Sequence, residues 1–384
     1  MKNNGLYFPG LNGLRAIAAF FVFLAHNETV KELRGVSNYG STRFFSIAGD
    51  AGVSLFFCLS GFLITSLLLA EMDETKTISL KHFYIRRILR IWPLYYFVLT
   101  ITLLIIPNLF ATKGFNLEYK IPPAGFTLYL FFLPYVANGL FMVNLLAAVL
   151  WSVGVEETFY LIWPLLLRRK KQNLLNLFAI LLLSFLSIKF AIDYGAINAS
   201  GFGPLAKIFD HLRLECMIIG SAFAYILKTK PRLLAVILSR YTFAIAIAAL
   251  LIYIFIGFNG MYQYINPIVA HVSDPVIYSI ISCIIILNVL SKKTIYTLLE
   301  YKPIYELGKI SYGIYLYHLI CLMFSIMLLE RLGLSQISGY ISGFLAFALT
   351  IFVSYISYYG FEIKFLKLKA NFTHIDSGEA VRKD

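Results

Sequence analysis

Near the start of the chain one apolar run, LNGLRAIAAFFVFLAHN, carries both an arginine and a histidine, with Arg15 and His26 eleven positions apart. Ionisable groups at membrane depth are costly and face a protein interior, a water-filled cavity or a ligand. At about 1.5 Å per residue the two lie about 16 Å apart along a helix, roughly half of a bilayer core. Eleven residues also make close to three turns, so both side chains leave the same helix face. One helix then offers a cation at one depth and a titratable imidazole about half a membrane away. The competing reading is structural, with Arg15 reaching to an interface and His26 satisfied inside a bundle.

Three further strings carry chemistry. FYIRRILRIWPLYY (83–96) places Arg86, Arg87 and Arg90 within one helical turn, Arg86 and Arg90 on a shared face. Guanidinium groups bind phosphate bidentately, so this cluster suits a nucleotide-like anion, although anionic lipid at a helix end asks for the same residues. WSVGVEETFYLIWP (151–164) holds Glu156 and Glu157 early in an apolar run. A carboxylate there can orient a histidine or bind a sugar hydroxyl. The plainer account is a helix N-terminus favoured by the macrodipole, with Trp151 and Trp163 as interfacial residues. HLRLECMIIG (211–220) puts Arg213 and Glu215 at another helix start.

Two strings read as structural. In GVSLFFCLSGFLIT (52–65) small residues favour close helix approach, so packing is the default for Ser54 and Ser60, and no G-x-S-x-G elbow is present. His318, in mid-helix among the tyrosines of LGKISYGIYLYHL (307–319), is assigned a structural hydrogen bond.

The elements that position these groups follow from composition. Of 384 residues, 59% are hydrophobic and 14% charged, far from the profile of a soluble domain. The 34 Phe and 26 Tyr suit a helical bundle with aromatic residues at membrane interfaces. The net charge of +13 lies mostly in short loops between apolar runs, an orientation signal rather than a nucleic-acid surface. Cys58, Cys216, Cys283 and Cys321 sit in apolar runs without metal-ligand spacing, so no metal is expected. No cleavable signal peptide is evident in the first run.

The reading is an all-α polytopic membrane bundle of about ten transmembrane helices, at roughly 11–28, 48–70, 89–107, 148–167, 174–194, 207–227, 241–258, 274–291, 309–329 and 338–360. A run at 125–141, interrupted by Pro134 and Gly139, is an eleventh span or a re-entrant segment. Charge arbitrates between these. Placing the cationic loops 76–90, 168–171, 228–240 and 292–302 and the tail lysines on one side requires ten crossings. Both termini are then cytoplasmic, 108–147 is external, Arg15 lies in the inner half of its helix and His26 near the outer end. One membrane domain is expected over 1–363, followed by a short polar tail, 364–384.

Taken in order, these strings resemble the acyltransferase-3 family of bacterial integral membrane acyltransferases. The resemblance runs from about Phe8 to Gly360. It is carried by the Arg-(ten residues)-His pair, G-V-x-L-F-F-x-x-S-G-F-L-I, F-Y-x-R-R-x-x-R-I-x-P, W-S-x-x-V-E-x-x-F-Y-L-x-x-P, R-L-x-x-x-x-x-G and Y-x-I-Y-L-Y-H. It implies acyl transfer, usually acetyl from acetyl-CoA, to a hydroxyl on a glycan, a lipid-linked sugar or another extracytoplasmic acceptor, in the bacterial cytoplasmic (inner) membrane. By the resemblance His26 matches the essential histidine, Arg15 its partner arginine, and Arg86, Arg87 and Arg90 the arginines thought to meet the CoA phosphates. Ser54 stands where many relatives carry an acidic residue. Some relatives append an SGNH-type hydrolase domain; this chain is expected to act alone or with a separate partner protein.

Pantetheine is long and slender, so arginines can hold its phosphates while the thioester passes Arg15, which is assigned to the donor channel. His26 then serves as general base or as a covalent acyl carrier, two routes that remain open. Glu156, and after it Glu157, is the candidate for orienting the imidazole or the acceptor, with Trp151, Arg213 and Glu215 as further acceptor contacts. The rival readings are a proton-coupled transporter and a non-catalytic membrane subunit of glycan export.

Overall fold

The computed structural model describes residues 6–40, 42–110, 121–141, 143–169, 174–198, 203–258 and 265–373. Lys170 and Lys171 of the RRKK loop and the tail from 374 lie outside them. Among the described residues every regular element is helical, as composition requires. The first three helices are α1 (Leu11–Leu33), α2 (Phe44–Thr75) and α3 (Leu80–Thr100). A five-residue π turn at Ile101–Ile105 carries α3 into α4 (Ile106–Phe110). Short helices follow, α5 (Pro123–Leu130), α6 (Pro134–Leu140) and α7 (Leu145–Ala148), then the long α8 (Trp151–Arg169) and α9 (Leu174–Asn198). The middle of the chain forms α10 (Gly203–His211), α11 (Leu214–Thr229), α12 (Pro231–Ile237), α13 (Arg240–Phe258) and α14 (Pro267–Ser291). The last part forms α15 (Lys293–Leu299), α16 (Lys302–Lys309), α17 (Ser311–Arg331) and α18 (Ser335–Ser357), joined by a π turn to α19 (Ile363–Ala370).

Among the described residues, seven helical stretches are long and apolar enough to cross a membrane, eight if α12 and α13, bent by 51° at their junction, form one. Two of the ten expected spans fall outside that count for physical reasons. The span expected at 11–28 is α1, which has the length at 23 residues but carries Asn12, Arg15, His26, Asn27 and Glu28. The one expected at 207–227 is broken at Leu212–Arg213, leaving α11 only 16 residues long. Both helices are interior: α1 packs against α2, α16 and α17, and α11 against α2, α9 and α14. Protein, not lipid, surrounds their polar side chains. The run at 125–141 folds as two short helices, α5 and α6, parted by a turn with Phe132 at φ 59°. Each is too short to span. The tail expected from 364 begins as α19, packed back against α3.

Close helix approach is built from glycine. A Cβ at Gly61 on α2 would stand 2.1 Å from the Met217 carbonyl oxygen on α11, and one at Gly220 on α11 would stand 2.3 Å from the Cys58 oxygen on α2. The two glycines let the backbones touch reciprocally, the small-residue packing that substitutes for hydrophobic drive in a bilayer. Gly220→Ala is therefore expected to cost about 1–3 kcal/mol through overpacking. A fall in the apparent unfolding temperature in detergent checks this; an unchanged melt would show that the crossing relaxes freely.

Candidate active site

Three elements, α1, α3 and α19, bring cations to one end of the bundle. Arg15 on α1 donates from Nη1 to Asn12 Oδ1 at 3.1 Å and lies within electrostatic reach of Arg87, Arg90, Glu156 and Tyr160. Arg86, on the exposed-end turn of α3, is tethered: Nη2 sits 3.3 Å from Glu71 Oε2, and Nη1 donates to the Phe372 carbonyl at 2.8 Å. Glu71 is buried and accepts the Ser79 amide at 2.8 Å with its other oxygen, so it caps the start of α3 while holding Arg86. Arg87 lies over the rings of Phe83 and Tyr160, 5.7 and 5.4 Å from their centroids. Its Nε is buried without a hydrogen-bond partner among the described residues. Lys369 arrives from α19 and lies within reach of Arg15, Arg86, Arg87 and Arg90. Glu71, Phe83, Arg86, Arg87, Lys369 and Thr373 line one pocket here. Such a gathering of donors around a pocket has the chemistry that suits a phosphate-like anion.

The carboxylates of α8 belong to this end. Glu156 lies five residues, about 7.5 Å, deeper along α8 than Trp151. Its Oε1 accepts from Ser60 Oγ at 2.6 Å and its Oε2 from Tyr160 OH at 3.2 Å. Glu157 accepts from Trp92 Nε1 at 3.4 Å, and its other oxygen is buried without a partner among the described residues. Neither carboxylate is bonded to His26. Glu156 is thus a counter-charge to the arginines rather than the partner of the imidazole, and Ser60, read as a packing residue, binds it.

His26 has a different neighbour. His318 on α17 places Nε2 3.0 Å from His26 Nδ1, with the two ring centroids 4.9 Å apart. His26 Nδ1 also lies 3.1 Å from the Val22 carbonyl oxygen. The structural bond expected of His318 exists, from Nδ1 to the Tyr315 carbonyl at 2.7 Å, but it leaves the other ring nitrogen facing His26. Asp50 on α2 lies within electrostatic reach of His26 and accepts from Arg213 Nη2 at 2.7 Å. Arg213 sits 6.0 Å from the Trp151 ring, which meets His211 edge-on at 5.1 Å. The Nε and Nη1 of Arg213 are buried without a partner among the described residues. The break between α10 and α11 is what aims Arg213 at this site. Glu215, two residues on, points elsewhere: it is fully buried 3.5 Å from Lys189.

Beyond them His271 is held between two carboxylates, Asp193 at 2.7 Å and Asp210 at 2.5 Å. The sequence reading missed this group, since its members come from three helices and no local spacing joins them. Between the two ends, α17 presents Tyr312, Tyr315 and His318 at three-residue steps. Tyr312 donates to the Ile91 carbonyl at 3.1 Å and neighbours Glu156 and Glu157, while Tyr315 neighbours Glu156 and Arg213. A seam of polar side chains therefore runs from the cation cluster to the imidazole pair.

Residues 8–359 match the family model described as an acyltransferase domain. The chain belongs to the acyltransferase-3 family. The chain is 28% identical to O-acetyltransferase OatA of Staphylococcus aureus strain NCTC 8325 over 331 residues, 81% of this chain and 50% of that protein. A second protein, of S. aureus strain COL, is provisionally named an O-acetyltransferase and is 28% identical over 386 residues, 94% of this chain and 58% of its own length. The chain thus spans about half the length of the curated relatives it matches. No solved structure matches it significantly.

Proposed function

We propose that this membrane-embedded acyltransferase is an O-acetyltransferase, taking an acetyl group from cytoplasmic acetyl-CoA and delivering it to a hydroxyl of an extracytoplasmic glycan or lipid-linked sugar. One observation carries the reading: a single helix, α1, contributes Arg15 to the cation cluster and His26 to the imidazole pair. Arg86, Arg87, Arg90 and Lys369 hold the CoA phosphates, Arg15 lies along the donor path, and Trp151 and Arg213 meet the acceptor. The names of the relatives support acetyl as the group moved.

His26 takes the proton of the acceptor hydroxyl, whose oxygen attacks the thioester carbon. The C–S bond of the tetrahedral adduct breaks, and the departing thiolate takes the proton from the imidazolium. Ester and CoA thiol are the products. General-base assistance of this kind contributes about 10²–10⁴-fold. The experiment is purified full-length protein with radiolabelled acetyl-CoA and a glycan extract from the host envelope. Label appearing in the glycan supports the proposal; label remaining wholly in acetyl-CoA rejects it.

The reading places both termini on the cytoplasmic side of the bacterial inner membrane, with ten crossings, α1 and α11 included. All four cysteines are buried and free, so a reporter can be added to the native chain. A Cys at Gln172 is expected to react with an impermeant thiol reagent only after the membrane is opened. Reaction in intact cells would reverse the orientation.

A further inference from the structure

The imidazole pair fixes more than proximity. His318 Nδ1 faces the Tyr315 carbonyl oxygen at 2.7 Å, and a carbonyl only accepts, so Nδ1 carries a proton. In the neutral ring Nε2 then holds the lone pair, 3.0 Å from His26 Nδ1. His26 Nδ1 faces two acceptors, that lone pair and the Val22 oxygen at 3.1 Å. It must be the protonated nitrogen of its ring.

We infer that His318 is a positioning residue that holds His26 as the Nδ1–H tautomer, leaving the Nε2 lone pair as the atom that meets the acceptor hydroxyl. The assignment rests on the proposed transfer reaction and adds the identity of the reacting nitrogen. A ring nitrogen bonded on one side has its other side fixed in direction and protonation, a device common where histidine acts as base or ligand. When His26 Nε2 gains a proton, the charge spreads to Nδ1–H, and its bond to His318 becomes charge-assisted and stronger. His318 thereby raises the basicity of His26 without touching substrate. It does so as a neutral ring, because its Nδ1 proton is already committed. The charged group that faces His26 from α2, Asp50, acts on the imidazole through space and is itself engaged by Arg213.

His318 is 1% exposed and packed within α17, so substitution must preserve volume. His318→Phe keeps the ring and removes the acceptor, whereas His318→Gln keeps an acceptor oxygen near the position of Nε2. The test uses full-length protein labelled with ¹⁵N-histidine in detergent, with acetyl-CoA and chitotetraose as probe substrates. Expected are an unprotonated Nε2 on His26 and a scalar coupling across the hydrogen bond between His26 Nδ1 and His318 Nε2. His318→Phe is expected to lower kcat about 10- to 100-fold, to leave KM for acetyl-CoA within about twofold, and to move the acid limb of the pH profile downward. His318→Gln should recover most of the loss.

A protonated Nε2 on His26 in the wild-type protein would overturn the inference, whatever the turnover. So would an unmoved acid limb in His318→Phe. Full activity in His26→Ala would instead reject the transfer mechanism itself, which separates the two failures.

Discussion

His26→Ala lowers kcat for acetyl transfer by about 10²–10⁴-fold, the range that a positioned general base supplies, while KM for acetyl-CoA changes little. The expectation follows from where the residue sits. His26 is eleven residues, about 16 Å, from the arginine on its own helix, so it is remote from the donor phosphates and makes no ground-state contact with them. A group that acts only as the proton moves is lost from kcat and from kcat/KM alike. Steady-state kinetics with radiolabelled acetyl-CoA, run beside a melting curve, measure this. Because α1 is held elsewhere by Gly13 against Leu299 and by Gly52 of α2 against the Ala18 carbonyl, the fold has no need of the imidazole. Turnover equal to wild type would sink the base and covalent-carrier routes together and favour carriage without chemistry across the same helices.

The second large effect concerns the cation cluster, where two neighbouring arginines are expected to differ. Arg86 is already engaged by Glu71 and by the Phe372 carbonyl, and Glu71 in turn caps α3. Arg87 stacks on two aromatic rings and keeps a buried Nε that has no partner among the described residues. Burying an N–H donor without a partner costs about 1–3 kcal/mol, a cost that a phosphate oxygen would remove. Arg87→Ala is therefore expected to raise KM for acetyl-CoA about 10- to 100-fold, consistent with about 1.5–3 kcal/mol for a charged hydrogen bond. kcat falls less, because the contact is remote from the reacting carbon and is made equally in ground and transition states. Arg86→Ala, which strands buried Glu71, is expected to lower thermal stability as well as affinity. Equal KM values for wild type and Arg87→Ala would show that the donor is held elsewhere.

What could be read in the sequence was what lies within one helix. The Arg15–His26 separation, the shared face of Arg86 and Arg90, and the polar character of 151–164 all follow from a rise of 1.5 Å and a turn of 100°. Pairings between helices could not be read in this way. Ser60 and Glu156 are 96 positions apart, and His26 and His318 are 292 apart. Which helices touch depends on small-residue crossings such as Gly61 with Gly220, and glycine gives no hint of its partner. Glu156, expected to orient the imidazole or the acceptor, accepts from Ser60 and Tyr160, partners that its place about one and a half turns along the string from Trp151 does not reveal. The expected span at 207–227 was continuous in hydropathy and hid a break, since Leu212–Arg213 interrupts backbone hydrogen bonding and not apolarity. Lys369 counted only as a charge that orients the chain, because nothing local says that α19 folds back over α3.

The three-residue rhythm of Tyr312, Tyr315 and His318 has a geometric result. Each step turns by 300°, or 60° short of a full circle, so the line drifts about 120° around α17 between its ends. On the proposed donor path, a molecule lying along this line would curl about the helix as it advances, a course that suits a thin, freely jointed thread better than a stiff or ring-bearing one.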